Sequence, residues 1–362
     1  MRIRQRKLAT RGIAAGAVTM GMLLAAAACS SSSSSSASGS GSASVINGAG
    51  STFAAPMYEQ WAGQYHQKHG VQINYQAIGS GGGISEYTQG IVDFGATDAP
   101  MSSTEQAAAQ AGQGSTVLHI PMIIGAVTMI YNLPGVSHLR LDGPTLANIY
   151  LGKIKTWNSP AIKALNPGVS LPSTPIQPVE RADSSGTSYA FTSYLAQISP
   201  TWASQVGVSK TPSFPTGTGA TGSSGVAAAV QQTKGAIGYV EYSYATQGHI
   251  PVASLKNASG QFVAPTPAST EAAAAHATFP TDITHLVFSL NNSSASGAYP
   301  IVTPTYVLIA QQPKNVAAGS AVRAWLEWDL QKPQQAESTK LGYVPLPSKL
   351  VSLDLAALKT VK

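Results

Sequence analysis

The sequence predicts an α/β protein of more than one lobe, and three observations carry that prediction. Segments with strand periodicity alternate with segments of helical periodicity through the folded part of the chain. At 362 residues, with 43% hydrophobic and only 10% charged residues, the chain can bury a large core. No repeat at a fixed period competes with an alternating layout.

The elements follow in order. Val45-Ile46 opens a short strand, followed by Gly48-Ala49-Gly50-Ser51-Thr52. Phe53, Met57, Trp61 and Tyr65 recur every four residues and form one apolar stripe of a helix. Val71, Ile73 and Tyr75 alternate as a strand, and the chain turns through Gly79-Ser80-Gly81-Gly82-Gly83. Ile91 to Phe94 reads as a strand running into Gly95-Ala96-Thr97-Asp98, and Ser102 with Glu105 has the spacing of a capping box. Val117 to Leu133 is the most apolar internal stretch. Pro121, Gly125 and Asn132 interrupt it, which predicts two buried strands joined at the break rather than a membrane span. Phe191, Tyr194, Leu195 and Ile198 mark a helix starting near Ser185-Gly186-Thr187. Ala236 to Tyr242 and Thr305 to Ala310 read as strands, with Val322, Trp325 and Leu326 on a late helix.

The net charge of +6 invites a nucleic-acid or anionic-membrane reading, but its distribution argues otherwise. Arg2, Arg4, Arg6, Lys7 and Arg11 all precede residue 29, leaving 16 basic against 15 acidic residues in the remainder. A near-neutral body has no broad basic face to offer. The basic start, an apolar run from Ile13 to Ala28 and small residues before Cys29 read as a secretory signal over residues 1–28. The run is short and glycine-interrupted for the roughly 20 apolar residues of a span. Leu-Ala-Ala-Ala-Ala-Cys resembles a bacterial lipobox, with Ala26 where leucine is usual, so Cys29 is expected to be lipidated. As the only cysteine, it can form no intrachain disulfide. The Ser, Gly and Ala residues that follow, to Ser44, cannot bury a core and read as a tether over residues 29–44. Together these features place a globular body at the outer face of a membrane.

Three segments share one pattern, in which a strand leads into small hydroxyl-bearing residues and a helix follows: Gly50-Ser51-Thr52-Phe53, Gly79-Ser80-Gly81-Gly82 and Asp183-Ser184-Ser185-Gly186-Thr187. The first N–H groups of a helix have no internal partner, and the helix dipole is positive there. Glycine permits close backbone approach, and Ser or Thr adds a hydroxyl, so such a start can hold an anion. Ordinary N-capping would explain any one of them. Three together, with Arg181 beside one and Asp98 ending a strand, point to a small-anion site.

Enzyme readings find less support. Ser184 and Ser185 lack a G-x-S-x-G setting, and no S-x-x-K lysine accompanies them. His66 and His69 could share a helix face, but two histidines alone are expected to face solvent. Gly217 to Gly222 has P-loop glycine spacing, yet Ser223 stands where lysine is required. No cofactor is implied. A phosphoester hydrolase, or a binder of another oxyanion such as sulfate or molybdate, stays open as an alternative.

The resemblance becomes specific in an ordered set of segments: Gly48-Ala49-Gly50-Ser51-Thr52-Phe53, Ile78-Gly79-Ser80-Gly81-Gly82, Val92 through Asp98-Ala99-Pro100, and Arg181-Ala182-Asp183-Ser184-Ser185-Gly186-Thr187. Leu141 through Ile154 and Gly235 through Tyr242 continue it. From about Val45 onward the chain resembles the periplasmic phosphate-binding proteins of phosphate ABC importers, with Ser184 where that family commonly has glycine. The resemblance implies a two-lobed periplasmic-binding-protein fold, type II-like, with a ligand cleft between the lobes, and a monomeric binding subunit. It places residues 45–123 and 301–362 in one lobe and 124–300 in the other. It further implies that Ser51, Thr52, Phe53, Ser80, Asp98, Arg181, Ser185, Gly186 and Thr187 face phosphate, with Asp183 holding Arg181. Implied partners are inorganic phosphate, a membrane permease and its cytoplasmic ATPase, with no nucleic acid. Asp98 would accept the proton that phosphate retains at neutral pH and sulfate lacks, a contrast that can separate analogues by about 10⁴–10⁵.

Overall fold

A computed structural model describes residues 43–275 and 277–362 of the chain. The expected signal segment, Cys29 and nearly all of the tether lie outside these residues. Among the described residues no helix is long and apolar enough to cross a membrane.

Eleven strands are described: β1 (Val45–Gly50), β2 (Gln72–Gln76), β3 (Phe94–Thr97), β4 (Val117–Tyr131), β5 (Arg140–Leu141), β6 (Gln177–Arg181), β7 (Thr218–Ala220), β8 (Ala236–Glu241), β9 (Ser254–Lys256), β10 (Phe262–Val263) and β11 (Val302–Ala310). Eight form one sheet in the order β2-β1-β3-β11-β4-β8-β6-β7, and β10-β9-β5 form a second. β1 pairs in parallel with β2 and β3, as strands joined by helical crossovers must. β6 likewise runs parallel to β7 and β8. The late strand β11 inserts antiparallel between β3 and β4. The C-terminal part of the chain therefore completes the half-sheet begun by the first strands.

β4 is the seam between the halves. Val117 to Ala126 pair with β11, whereas Val127 to Tyr131 pair with β8. This corrects the expectation of two strands broken at Pro121 and Gly125. All fifteen residues of the strand are buried and continuous. The register slips beside Pro121, where Tyr306 pairs with Pro121 and Thr305 with Ile123. That bulge is the setting in which a strand tolerates a residue without an N–H. Gly125 serves packing: a Cβ there would lie 2.7 Å from the Phe53 ring. The strand predicted from Ile91 begins only at Phe94, and Ile91 is exposed.

The helical stripe buries as predicted, with Met57, Trp61 and Tyr65 on the inner face of the helix Ala55–His69. Phe53 precedes that helix, and its ring meets Tyr343 edge-on at 6.2 Å. Tyr58, Tyr75, Phe94 and Trp325 complete an aromatic cluster under β1. Burying each large ring stabilises the fold by about 1.5–3 kcal/mol. The capping box at Ser102 and Glu105 forms in full. His66 and His69 are exposed, and no cluster of three or more His, Cys, Asp or Glu is placed to hold a metal among the described residues.

Candidate anion-binding site

The predicted site residues come from several elements and meet at one buried place. Ser51 to Phe53 turn from β1 into the helix Ala55–His69, Ser80 opens the helix Ser80–Gln89, and Asp98 directly follows β3. Arg181 ends β6, and Ser185 caps the helix Gly186–Ile198. Ser51, Thr52, Phe53, Ser80, Asp98, Arg181, Ser185 and Thr187 are all buried.

Ser80 joins two of the predicted segments. Its Oγ accepts from the Asp98 N–H at 3.1 Å and from the Gly186 N–H at 3.1 Å, and it donates to Asp98 Oδ2 at 3.4 Å. Gly81 N–H donates to the Ser184 carbonyl at 2.9 Å alongside. Gly186 has no room for a side chain, because a Cβ would lie 2.6 Å from Ser80 Oγ, 2.7 Å from Asp98 Cβ and 2.8 Å from Asp98 N. Two of those three atoms belong to a strand end that cannot move aside alone. Gly186→Ala is therefore expected to weaken anion binding by about 10–100-fold through overpacking. Titration calorimetry checks this, and unchanged affinity would show that the contact yields freely.

Asp98 is enclosed. Ser51 Oγ donates to its Oδ1, and Thr303 Oγ1 donates to its main-chain carbonyl at 3.1 Å. Burial pushes its carboxyl up to about 7, against the opposing pull of the Ser51 hydroxyl, the Arg181 charge and the Ser80 hydroxyl. Ser51 therefore spends its proton on Asp98, while its Oγ also accepts from the Ala54 N–H at 3.0 Å.

The buried Arg181 and the partly buried Asp183 form a fork rather than a surface ion pair. Their side chains are 2% and 15% exposed. Nε donates to Asp183 Oδ1 at 2.7 Å, and Nη2 donates to Oδ2. The remaining Nη1 points at Thr187 Oγ1 at 3.4 Å and Ser223 Oγ at 3.5 Å. Burial raises the Asp183 carboxyl, but Arg181 and the Gly222 N–H outweigh it and hold the group below its usual range. The fork is thus a fixed cation with one face left for a ligand. Ser185 does cap its helix, accepting from the Ser188 N–H at 3.1 Å, and its hydroxyl proton stays available.

Ser223 belongs to this group, and sequence reasoning assigned it no such role. It begins the second residue of the helix Gly222–Gln232, its Oγ lies 2.9 Å from Thr52 Oγ1, and its N–H donates to Thr52 Oγ1 at 3.2 Å. The only sequence signal is the glycine run from Gly217 to Gly222, whose P-loop spacing fails at Ser223. What it marks is one more helix start. Buried N–H groups are nearly always paired, yet those of Thr52 and Phe53 meet no acceptor among the described residues. Free donors, hydroxyls and a fixed guanidinium around one carboxyl suit a tetrahedral oxyanion that keeps a proton.

Comparison with known proteins agrees with this chemistry. The family description that matches, PBP superfamily domain, covers residues 31–332. The phosphate-binding protein PstS of Xylella fastidiosa is 41% identical over 308 residues, spanning 84% of this chain and 82% of its own. This chain belongs to the PstS family of phosphate-binding proteins. The PstS of Haemophilus influenzae is 40% identical over 320 residues, 88% of this chain and 93% of its own. That of Methanocaldococcus jannaschii is 35% identical over 337 residues, 88% and 86% respectively. Among solved structures, a high affinity periplasmic phosphate-binding protein bound with phosphate superposes with TM-score 0.71 at 22% identity, covering 86% of this chain and 93% of the other. A phosphate binding protein from Stenotrophomonas maltophilia gives 0.69 at 23% identity, with the same shares. At that identity the likeness establishes the fold, the two-lobed periplasmic-binding-protein architecture.

Proposed function

We propose that this PstS-family chain captures inorganic phosphate outside the cytoplasmic membrane and delivers it to an ABC importer. The observation that carries the reading is Asp98, a buried carboxyl set among hydroxyls, a fixed arginine and free N–H groups. A dianion beside a carboxylate is repelled unless it brings a proton to share. The Phe53, Ser80 and Thr187 backbone, the Thr52, Ser185 and Thr187 hydroxyls and Arg181 would donate to phosphate oxygens, and Asp98 would accept from its hydroxyl. The Gly186 N–H and the Ser80 hydroxyl, which bond to Ser80 Oγ and Asp98 Oδ2 here, would join them by exchanging those bonds for the ligand.

In this reading residues 45–123 and 301–362 form one lobe and 124–300 the other, so the Ser80–Gly186 and Thr52–Ser223 bonds cross the cleft. Lys210 Nζ, bonded to both Glu105 oxygens at 2.6 Å, spans the same boundary. Closure by hinge motion would assemble the donors around one ligand and display a joined surface to the permease, with a cytoplasmic ATPase supplying energy. Lipidation at Cys29 would hold the protein at the membrane's outer face. Binding is favoured over hydrolysis because none of Ser51, Ser80, Ser185 or Ser223 has a histidine among its hydrogen-bond partners in the described residues.

Calorimetry with phosphate and with sulfate at pH 8 tests the assignment. Tight binding of phosphate with at least about 10³-fold weaker binding of sulfate is expected. Equal affinities would remove the role given to Asp98.

A further inference from the structure

The anion-binding turn at Thr52 is held from behind by a residue that no ligand set includes. Tyr244 lies in the short helix Tyr242–Gln247 that follows β8. Its hydroxyl donates to the Thr52 carbonyl at 2.6 Å across 192 residues of sequence. In a trans peptide the carbonyl and the next N–H point in opposite directions. A donor fixed on the Thr52 carbonyl therefore dictates where the Phe53 N–H points, and that N–H is one of the buried donors without an acceptor among the described residues.

The following peptide is fixed too, since Tyr343 OH donates to the Phe53 carbonyl at 2.6 Å. The two clamps differ in origin. Tyr343 comes from the same part of the chain as the aromatic packing around Phe53, whereas Tyr244 and Ser223 reach Thr52 from the 124–300 segment. Burial raises the Tyr244 hydroxyl above its ordinary value, so it remains a donor throughout the neutral range.

We propose that Tyr244 is a positioning residue of the anion site, a latch whose hydroxyl grips the Thr52 carbonyl only in the closed cleft and so turns the Phe53 N–H toward the bound anion. This rests on the phosphate-binding, two-lobe reading above. It assigns the latch to the lifetime of the closed complex rather than to encounter or to selection among anions.

The test is Tyr244→Phe in the purified protein, followed by stopped-flow kinetics with inorganic phosphate. The dissociation rate should rise about tenfold, the scale of one lost hydrogen bond, while the association rate changes by less than about twofold. The phosphate-to-sulfate affinity ratio and the melting temperature of the phosphate-free protein should match the parent. A dissociation rate equal to the parent's overturns the latch. So does weaker binding accompanied by a lower melting temperature without phosphate, which would mark a general packing role. Failure of the parent protein itself to bind phosphate would sink the functional reading, and the latch with it. Normal binding by both proteins with identical release would sink the latch alone.

Discussion

Asp98→Asn should lower the preference for phosphate over sulfate by roughly 10⁴-fold while weakening phosphate itself by only about 10–100-fold. In the parent protein one Asp98 oxygen takes the Ser51 proton and the other has only a long contact, 3.4 Å, from Ser80. That second oxygen retains the capacity to accept from a ligand hydroxyl. An asparagine can instead turn its amide toward an oxygen that has no proton, and it removes the negative charge. Sulfate then loses both reasons for rejection.

The same residue predicts how discrimination depends on pH. Burial raises the Asp98 carboxyl to about 7, so below that value the group holds a proton of its own in the anion-free site. A protonated Asp98 can donate to sulfate, which then needs no proton of its own to sit beside the group. Selectivity in the parent should accordingly be greatest above pH 7 and decline as pH falls through that value. The asparagine variant should show no such change. Calorimetric titrations of both ligands from pH 5.5 to 8.5 measure this, and a selectivity that rises on acidification would contradict the assignment.

Arg181→Met is the second large effect, with phosphate affinity expected to fall roughly 10³-fold. Methionine preserves much of the stem's volume but removes every donor and the charge. Asp183 would then keep the Gly222 N–H, at 2.9 Å, as its remaining bond and would face the cleft without its cation. The variant thus loses a donor to the ligand and gains a repulsive neighbour. Asp183→Asn should cost less, because Arg181 retains its charge and loses only its exact aim. If the two variants bound phosphate equally, positioning by Asp183 would account for all of Arg181's contribution.

Much of the site was legible because its parts are local. A glycine-hydroxyl segment entering a helix marks itself within five residues, and so the starts at Thr52, Ser80 and Ser185 could be found by pattern. The contacts that make these parts one site were not legible, for the partners are distant in sequence. Ser223 meets Thr52 across 171 residues, and its own segment matches a different motif imperfectly. Tyr244 carries no local sign of its role at all. Pro121 and Gly125 misled for the same reason: read locally they are breakers, whereas β11 supplies the bulge for one and Phe53 fills the space left by the other.

From the sequence alone came the α/β alternation, the near-neutral body behind a basic N-terminus, and the set of helix starts able to hold an anion, because periodicity, charge and capping act over a few residues. Only the tertiary structure decided that β4 runs unbroken between the two half-sheets, that Ser51 and Ser80 both serve Asp98, and that Arg181 is a buried fork with one free face. Those outcomes depend on which strands become neighbours and on how much water their packing excludes. Burial that lifts the Asp98 carboxyl to about 7 is a property of the assembled cleft, supplied by residues that no short window of sequence contains.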